Sequence, residues 1–399
     1  MIKIINGNVI TPFRMLANAS ILINDGKIVT ITQDEINEPD ATEIDARGNF
    51  VSPGFIDIHV HGGGGSDFMD NTVEAFLQIA KTHARYGTTA MVPTTLTSEL
   101  EELYQTLACY DQAHKINVDG AQFLGMHLEG PYFSVNQRGA QDERFIRNPD
   151  PAEYKEILNR SNSIVRWSAA PELKGAIQFA KFLRKKGILV ALAHTDAIYE
   201  EVLEGFENGY TLATHLYSGM SGVTRRNAFR YAGAVESAFI IDNMDVEIIA
   251  DGIHLPAPLL KLVHKIKGAG KIALITDAMR AAGMPEGESV LGNYQTGLRV
   301  IIEDGVAKLP DRSAFAGSVA TANLLVRNMI NMAGVNLMEA VEMITATPAR
   351  IMGVSDQKGS LVVGKDADII IFDKDINIDT TIVAGRVVYN ASLKEVLAS

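Results

Sequence analysis

The residues between about 54 and 300 alternate short apolar runs of strand character with helical stretches, and this alternation constrains the fold most strongly. Near-continuous apolar strands separated by helices are typical of a parallel sheet that helices cover on both faces. Eight such units predict an α/β fold of the (β/α)8 barrel type. The predicted strands span residues 55–61, 88–94, 122–129, 164–170, 188–194, 210–215, 246–251 and 271–277, and the clearest helices span 72–86, 175–186 and 257–267.

Both ends of the chain have a different character, because they contain only short strand-like runs and turns. Near the N-terminus, Asn24-Asp25-Gly26 separates two such runs and is a strong hairpin signal. Runs of the same kind occur at 368–372 and 380–383. We therefore expect a small β-sandwich domain built from residues 1–53 plus 357–399, and a (β/α)8 barrel domain at 54–356.

Composition narrows the class of partner. The 399 residues carry a formal net charge of −12, whereas nucleic acids and anionic membranes call for a basic protein surface. No apolar run approaches the ~20 residues of a membrane span, and the N-terminal residues lack the features of a signal peptide. The one cysteine, Cys109, cannot form an intramolecular disulfide, which fits a reducing cytoplasm. We expect a cytoplasmic protein with a small-molecule partner.

The first predicted strand, residues 55–61 (FIDIHVH), ends in a pattern that suits a metal ion. Because strand side chains alternate between faces, His59 and His61 point the same way. Two neighbouring imidazoles at a strand end suit a divalent cation, although two polar residues are common there without one. The residues at the other strand ends therefore decide between these interpretations.

Histidines and acidic residues recur at those other strand ends. In a (β/α)8 barrel, residues at the carboxyl ends of the strands converge on the active site. Five of the nine histidines lie at predicted carboxyl ends, which indicates a metal site. Besides the first strand's pair, the residues are His127 and Glu129 on the third strand, His194 on the fifth, His215 on the sixth, Asp277 on the eighth, and His254 just past the seventh. The histidines that we expect to be solvated are His83, His114 and His264.

This set of side chains predicts hydrolytic chemistry. Imidazoles and a carboxylate suit Zn²⁺ or Fe²⁺ acting as a Lewis acid. Such an ion lowers the pKa of bound water to ~7 and polarises a substrate carbonyl. Hydrolysis also needs a group that moves a proton from the water to the leaving amine. Asp277 is the candidate, since it lies at the remaining strand end; its alternative role is that of a structural or capping aspartate.

Several motifs resemble the amidohydrolase superfamily, and within it the deacetylases of N-acetylated amino-sugar phosphates. The most specific is His127-Leu128-Glu129-Gly130-Pro131-Tyr132, and the resemblance covers essentially the whole chain. The other motifs are residues 53–62 (PGFIDIHVHG), 193–195 (AHT), 214–217 (THLY), 250–254 (ADGIH), 276–278 (TDA) and 359–368 (GSLVVGKDAD).

The resemblance implies a mechanism and a metal site. Glu129, His194 and His215 would hold the main ion, and His59 and His61 would complete a second position that only some members fill. One or two ions, Zn or Fe, are therefore expected per subunit. Metal-bound hydroxide would attack the acetamide of an N-acetylated amino-sugar 6-phosphate, with Asp277 as general base and acid, and release acetate.

The resemblance also implies a substrate site shared across a homodimer. Arg226 would bind the substrate phosphate from the neighbouring subunit, and His254 would contact the substrate near the sugar and the reacting carbonyl. The remaining contacts would come from Ala140, Ser218 and Gly219, and from Phe315, Ala316 and Gly317 in the loop after the eighth strand. Ser218-Gly219, Gln141 and the basic run 224–227 depart from the family pattern. Because of these departures, the sequence does not decide whether the substrate is a glucosamine or a galactosamine derivative.

Two segments are candidates for binding an anion such as the substrate phosphate. Arg225 and Arg226 are either a phosphate-binding pair or an ordinary solvated pair, and Gly317-Ser318 could contact an anion before a helical run at 319–332.

Other functions are compatible with the same layout. A hydantoinase or dihydroorotase type would need a modified lysine at the fourth strand end, but residues 168–172 (SAAPE) contain none. An adenosine-type deaminase would have a glutamate soon after His194, which 194–197 (HTDA) lacks. A non-catalytic scaffold is the third possibility, since fold does not imply function, but it would have no reason to keep the ligand residues and Asp277.

Overall fold

Segments from both ends of the chain form one eight-stranded sheet in this computed structural model, which describes residues 1–391 without the side chain of Arg226. The predicted small domain extends to residue 399, so its last eight residues lie outside the described part. The predicted hairpin at Asn24-Asp25-Gly26 is present: Asp25 and Gly26 have φ of 48° and 76°, the positive values that a type I′ turn requires. In order of pairing, the strands are Arg386–Asn390, Ile378–Val383, Ile369–Phe372, Phe50–Pro53, Ile2–Ile10, Met15–Asn24 and Lys27–Thr32, with Thr42–Asp45 also paired to Ile2–Ile10.

The middle of the chain supplies eight parallel strands in two sheets of a mixed α/β fold. All eight predicted strands are present, but most end earlier than expected, so that their polar end residues lie in the following loops. From first to eighth, these strands are Phe55–Val60, Thr88–Pro93, Met126–Glu129, Ile164–Ala169, Leu189–Leu192, Tyr210–Ala213, Asp245–Ile248 and Ile272–Leu274. The first two pair with each other, and the third to the eighth form one continuous parallel sheet.

The third predicted strand is split into Gln122–Phe123, which pairs with the second strand, and Met126–Glu129. Gly125 causes the break, because its φ is 127° and a Cβ there would lie 2.3 Å from Cγ1 of Val165. A side chain at this point would collide with the fourth strand.

Hydrogen bonds join the two parallel sheets at both edges. At one edge, the Thr95 amide donates to the His127 carbonyl at 3.0 Å. At the other, the Asp277 amide donates to the His59 carbonyl, also at 3.0 Å. These contacts join the carboxyl end of the second strand to that of the third, and the carboxyl end of the first strand to that of the eighth.

Amphipathic helices cover the outside of the parallel strands. Ala176–Lys185 is typical: it buries Ala176, Phe179, Ala180 and Leu183, which lie on one helical face, and exposes its lysines. The other helices are Val73–Ala84, Leu100–Ile116, Pro151–Arg160, Tyr199–Asn208, Ala234–Ile240, Ala257–Lys267, Ala322–Asn328, Leu337–Glu342 and Ala346–Ile351, with 3₁₀ turns at Phe68–Asp70, Val135–Gln137 and Ala269–Lys271 and a π-helical turn at Met329–Ala333. No helix within residues 1–391 is long and apolar enough to cross a membrane.

Several short strands are absent from the sequence-based prediction. They comprise an antiparallel sheet of Gly287–Leu291, Leu298–Glu303, Val306–Lys308 and Phe315–Ser318, a hairpin of Thr224–Arg226 and Phe229–Tyr231, and a small pair of Gly62–Gly63 and Ser66–Asp67. The predicted loop at 315–317 is therefore part of a strand. The predicted helical run at 319–332 begins only at Ala322, and the Ser318 hydroxyl is buried and donates to the Thr276 carbonyl instead of facing an anion.

Candidate metal centre and active site

Glu129 lies at the centre of a buried cluster of imidazoles. Its Oε1 is 3.0 Å from His215 Nε2, 3.5 Å from His194 Nε2 and 3.4 Å from His59 Nε2. Its Oε2 is 3.3 Å from His61 Nε2. All five residues are buried, with at most 7% of their surface exposed. The structure thus brings together the five residues that the family resemblance implied as metal ligands.

The five residues form two overlapping triads, each with donor atoms within 4.8 Å of one another: His59, His61 and Glu129, and Glu129, His194 and His215. Bonds of 2.0–2.1 Å in tetrahedral geometry place donors about 3.3 Å apart. The separations of 3.0–3.5 Å from Glu129 to the imidazoles match that spacing. The donor set therefore fits a divalent cation in either triad.

Asp277 lies next to the first triad. Its Oδ1 is 3.4 Å from His59 Nε2 and 3.2 Å from His61 Nε2. Its backbone φ of 48° is in the left-handed region, as are those of His194 (47°) and His215 (31°). Such conformations are costly for residues other than glycine and cluster at functional sites.

The charges within the cluster shift the pKa values of its members. Burial raises the pKa of Glu129, but the surrounding imidazoles outweigh it and hold that pKa well below its usual range. Burial lowers the pKa of His61, but hydrogen bonds to Asp277 and Glu129 outweigh it and raise that pKa to about 10. The two carboxylates thus stabilise positive charge at this point, whether it is carried by protons or by a metal ion.

The ring nitrogens of His194 and His215 that face away from the cluster are held in place. His194 Nδ1 lies 2.7 Å from the Gln137 carbonyl, and His215 Nδ1 lies 3.1 Å from the Ser218 carbonyl. A carbonyl only accepts hydrogen bonds, so each Nδ1 carries the proton and Nε2 presents its lone pair to the cluster.

Gly219 allows the chain to approach His194 closely. Its φ is 57°, and a Cβ there would lie 2.7 Å from His194 Nδ1. A larger residue would therefore displace the imidazole or the segment after it.

A buried ion pair beneath His59 was missed by the sequence-based prediction. Arg166 and Glu247 are both 0% exposed, and the Arg166 guanidinium donates to both Glu247 oxygens, to the Thr214 hydroxyl and to the Ile58 carbonyl. Glu247 Oε2 lies 3.4 Å from His59 Nδ1, so the pair orients this ring from behind. The available signal was a charged residue in the middle of an apolar run, Arg166 in 164–170 and Glu247 in 246–251.

His127 lies at a strand end but belongs to neither triad. Its Nε2 is 2.7 Å from the Ser168 hydroxyl and its Nδ1 is 3.2 Å from the Thr94 hydroxyl. Its ring packs edge-on against His59, with ring centroids 4.8 Å apart. Its role in this arrangement is to support His59.

A cavity of about 340 Å³ opens above the cluster. His254 lines it, with Nδ1 2.6 Å from Asp251 Oδ2 and its ring 4.8 Å from that of Phe315. The cavity is also lined by four residues of the triads, His61, Glu129, His194 and His215, and by the predicted site residues Ala140, Ser218, Gly219, Phe315, Gly317 and Asp277. Ala316 is buried in a separate apolar cluster with Met279 and Leu291.

The prediction for Arg226 stays a prediction, whereas that for His83 can be judged. Arg226 is the last residue of the short strand Thr224–Arg226, and its side chain lies outside the described part of the structure. The prediction that His83 is solvated is wrong: it is 0% exposed, and its Nε2 lies 2.9 Å from the Gly62 carbonyl, which ties the first helix to the glycine run.

Parallel strands whose carboxyl ends bring histidines and carboxylates to one cavity are typical of metal-dependent hydrolases. A profile of the amidohydrolase family matches residues 50–388, and the chain belongs to this family.

The relatives narrow the comparison further. An N-acetylglucosamine-6-phosphate deacetylase from Vibrio furnissii is 36% identical over 343 residues, which are 86% of this chain and 84% of that protein. An N-acetylgalactosamine-6-phosphate deacetylase from Escherichia coli O157:H7 is 33% identical, covering 91% of this chain and 93% of that one. The crystal structure of N-acetylglucosamine-6-phosphate deacetylase from Pasteurella multocida superposes with a TM-score of 0.90 at 29% identity, covering 97% and 99% of the two chains.

Proposed function

We propose that this protein hydrolyses N-acetylglucosamine 6-phosphate to glucosamine 6-phosphate and acetate. The observation that carries the proposal is the convergence of two metal-binding triads and Asp277 on one cavity of about 340 Å³. N-acetylgalactosamine 6-phosphate is the second candidate substrate, because the Escherichia coli relative is named for that epimer.

Glu129, His194 and His215 hold the main ion in this proposal, and His59 and His61 complete the second position. The ion is Zn²⁺ or Fe²⁺, to which imidazole and carboxylate ligands are suited. When bound, such an ion polarises the acetamide carbonyl and makes a water molecule acidic.

Asp277 moves the proton during hydrolysis. The His59 and His61 imidazoles outweigh the effect of burial and lower the pKa of Asp277, so its carboxylate is ionised and can accept a proton from the attacking water. The same group then returns that proton to the departing amine nitrogen. Asp251 holds the His254 ring by Nδ1, so that His254 contacts the sugar near the reacting carbonyl.

The backbone of Ala140, Ser218 and Gly219 positions the sugar in this account, together with Phe315 and Gly317, which also line the cavity. Ala316, buried behind them, takes no direct part. Arg226 binds the phosphate from the neighbouring subunit of a homodimer. The exposed hairpin supports this arrangement: Phe229, which pairs with Arg226 across the two strands, is 72% exposed and suits coverage by a second subunit.

We expect Arg226→Ala to raise KM for a phosphorylated sugar far more than for its unphosphorylated counterpart, because only the former carries the charge that the guanidinium binds. Steady-state kinetics with N-acetylglucosamine and its 6-phosphate measure this difference. Arg225→Ala is the matched control and should change the two KM values equally. Equal changes for Arg226→Ala would remove the phosphate assignment.

We expect Zn²⁺ to stabilise the folded protein. An ion present at 100 times its Kd adds about 2.7 kcal/mol to the free energy of unfolding, because the unfolded chain lacks the assembled site. Thermal scans of chelator-treated protein with and without added Zn²⁺ measure this effect. Glu129→Gln removes the carboxylate shared by both triads and should abolish most of the increase in Tm. An undiminished increase in this variant would mean that Zn²⁺ binds elsewhere.

The domain organisation forms part of the same proposal. We infer that the eight parallel strands close into one (β/α)8 barrel at residues 54–356, and that residues 1–53 plus 357–399 form a small β-sandwich domain. Hydrogen bonds at both edges of the parallel sheets support closure. A hydantoinase-type site is disfavoured, because the fourth strand buries Arg166 against Glu247 and offers no lysine.

The direct test is product analysis by proton NMR. Incubation with N-acetylglucosamine 6-phosphate should yield acetate and free amino sugar in equal amounts. The galactosamine epimer, tested in parallel, decides between the two substrates. Absence of acetate with both epimers from folded, metal-loaded protein would contradict the proposal.

A further inference from the structure

We propose that Gln141 is a positioning residue for Glu129, which fixes the carboxylate that both metal triads share. The inference rests on the metal site of the proposed function. Gln141 follows Glu129 by 12 residues and returns to it through the loop after the third strand. It is 7% exposed and lines the cavity.

The orientation of the Gln141 amide is determined by Thr97. The Thr97 backbone N–H and hydroxyl both lie 2.9 Å from Gln141 Oε1. A backbone N–H can only donate, so the amide atom facing it must be the oxygen. The opposite end of the amide is therefore Nε2, a donor, and it lies 2.8 Å from Glu129 Oε2.

This contact divides the two oxygens of Glu129 between different partners. Oε2 accepts from Gln141, whereas Oε1 faces His194 and His215. A carboxylate held at one oxygen by a donor that is itself anchored loses little freedom when the other oxygen binds a cation. Gln141 thus prepares Oε1 for the triad of Glu129, His194 and His215.

We expect Gln141→Met to weaken Zn²⁺ binding by about 10- to 100-fold, the range found when a hydrogen-bond partner of a metal ligand is removed. Methionine has a similar length but neither accepts from Thr97 nor donates to Glu129. The measurement is competition for Zn²⁺ between the protein and a chromophoric chelator, with no substrate present. Circular dichroism of each variant monitors folding.

Two further variants separate positioning from a general loss of structure. Gln141→His supplies one nitrogen that accepts from Thr97 and another that donates to Glu129, so it should retain affinity close to that of the unaltered protein. Gln105→Met makes the same chemical change at an exposed position of the helix Leu100–Ile116 and should leave Zn²⁺ binding unchanged.

Unchanged Zn²⁺ affinity in Gln141→Met would overturn the proposal, even if acetate release fell, because Gln141 would then act on the substrate alone. If Gln141→Met does not fold, Gln141→Asn replaces it, because the shorter amide cannot span from Thr97 to Glu129. Unchanged Zn²⁺ affinity in Gln141→Asn would overturn the proposal in the same way. If Zn²⁺ binding weakens as expected but the unaltered protein releases no acetate from either sugar phosphate, the proposed substrate fails while the role of Gln141 stands.

Discussion

Asp277→Asn is expected to lower kcat for deacetylation by at least about 10²-fold, the contribution that general acid–base groups typically make. The asparagine has almost the same shape but cannot take a proton from water or deliver one to the amine. The structure supports this role, because the Asp277 carboxylate lines the cavity and lies 3.2 Å from His61 Nε2. Steady-state acetate release measures the change.

The metal content of Asp277→Asn has to be determined beside its rate. The Glu129, His194 and His215 triad does not include Asp277, so the variant should retain at least one ion per subunit. A rate near that of the unaltered protein would remove Asp277 from the proton transfer. Loss of all metal would show instead that Asp277 acts mainly as a ligand.

Arg166→Met is expected to reduce the free energy of unfolding by about 3–5 kcal/mol. The substitution leaves Glu247 charged, fully buried and without its main partner, and it removes donors to Thr214 and to the Ile58 carbonyl. The double variant Arg166→Met/Glu247→Met removes both charges and should recover a large part of the loss. Urea unfolding of the metal-loaded proteins measures these differences.

Arg160→Met is the matched control for this substitution. Arg160 pairs with Glu156 on a helix surface, with side chains 56% and 51% exposed, and such pairs contribute about 1 kcal/mol or less. A similarly small effect of Arg166→Met would contradict the view that the interior between the parallel strands depends on this ion pair.

Residues at strand ends were predictable because the geometry of parallel sheets determines where they meet. The carboxyl ends of parallel strands lie at one edge, so His59, Glu129 and His215 could be assigned to a common site without knowledge of loop conformations. The same rule placed His127 near this site but could not separate it from the residues of the two triads. That distinction depends on hydrogen bonds to Ser168 and Thr94, which only the folded chain defines.

Interactions between distant residues were not predictable in the same way. Arg166 and Glu247 are 81 residues apart, so the sequence around either residue does not contain its partner. Gln141 and Thr97 are separated by 44 residues. His83 was expected to be solvated because of its place in a helix, but that helix packs against the glycine run, where small residues allow close approach.

Short strands were a further part of the fold that the sequence did not predict. The antiparallel sheet at 287–318 consists of strands of three to six residues, for which alternation of polar and apolar residues is a weak signal. Phe315 and Gly317, expected in a loop, belong to this sheet, which therefore supplies one wall of the cavity.

The most direct test of the central claim is metal-dependent release of acetate from N-acetylglucosamine 6-phosphate. Chelator-treated protein should release little acetate, and stoichiometric Zn²⁺ or Fe²⁺ should restore release in the unaltered chain but not in Glu129→Gln. Release that is equally fast without the metal, or that is unaffected by Glu129→Gln, would contradict the assignment of this cluster as the catalytic metal centre.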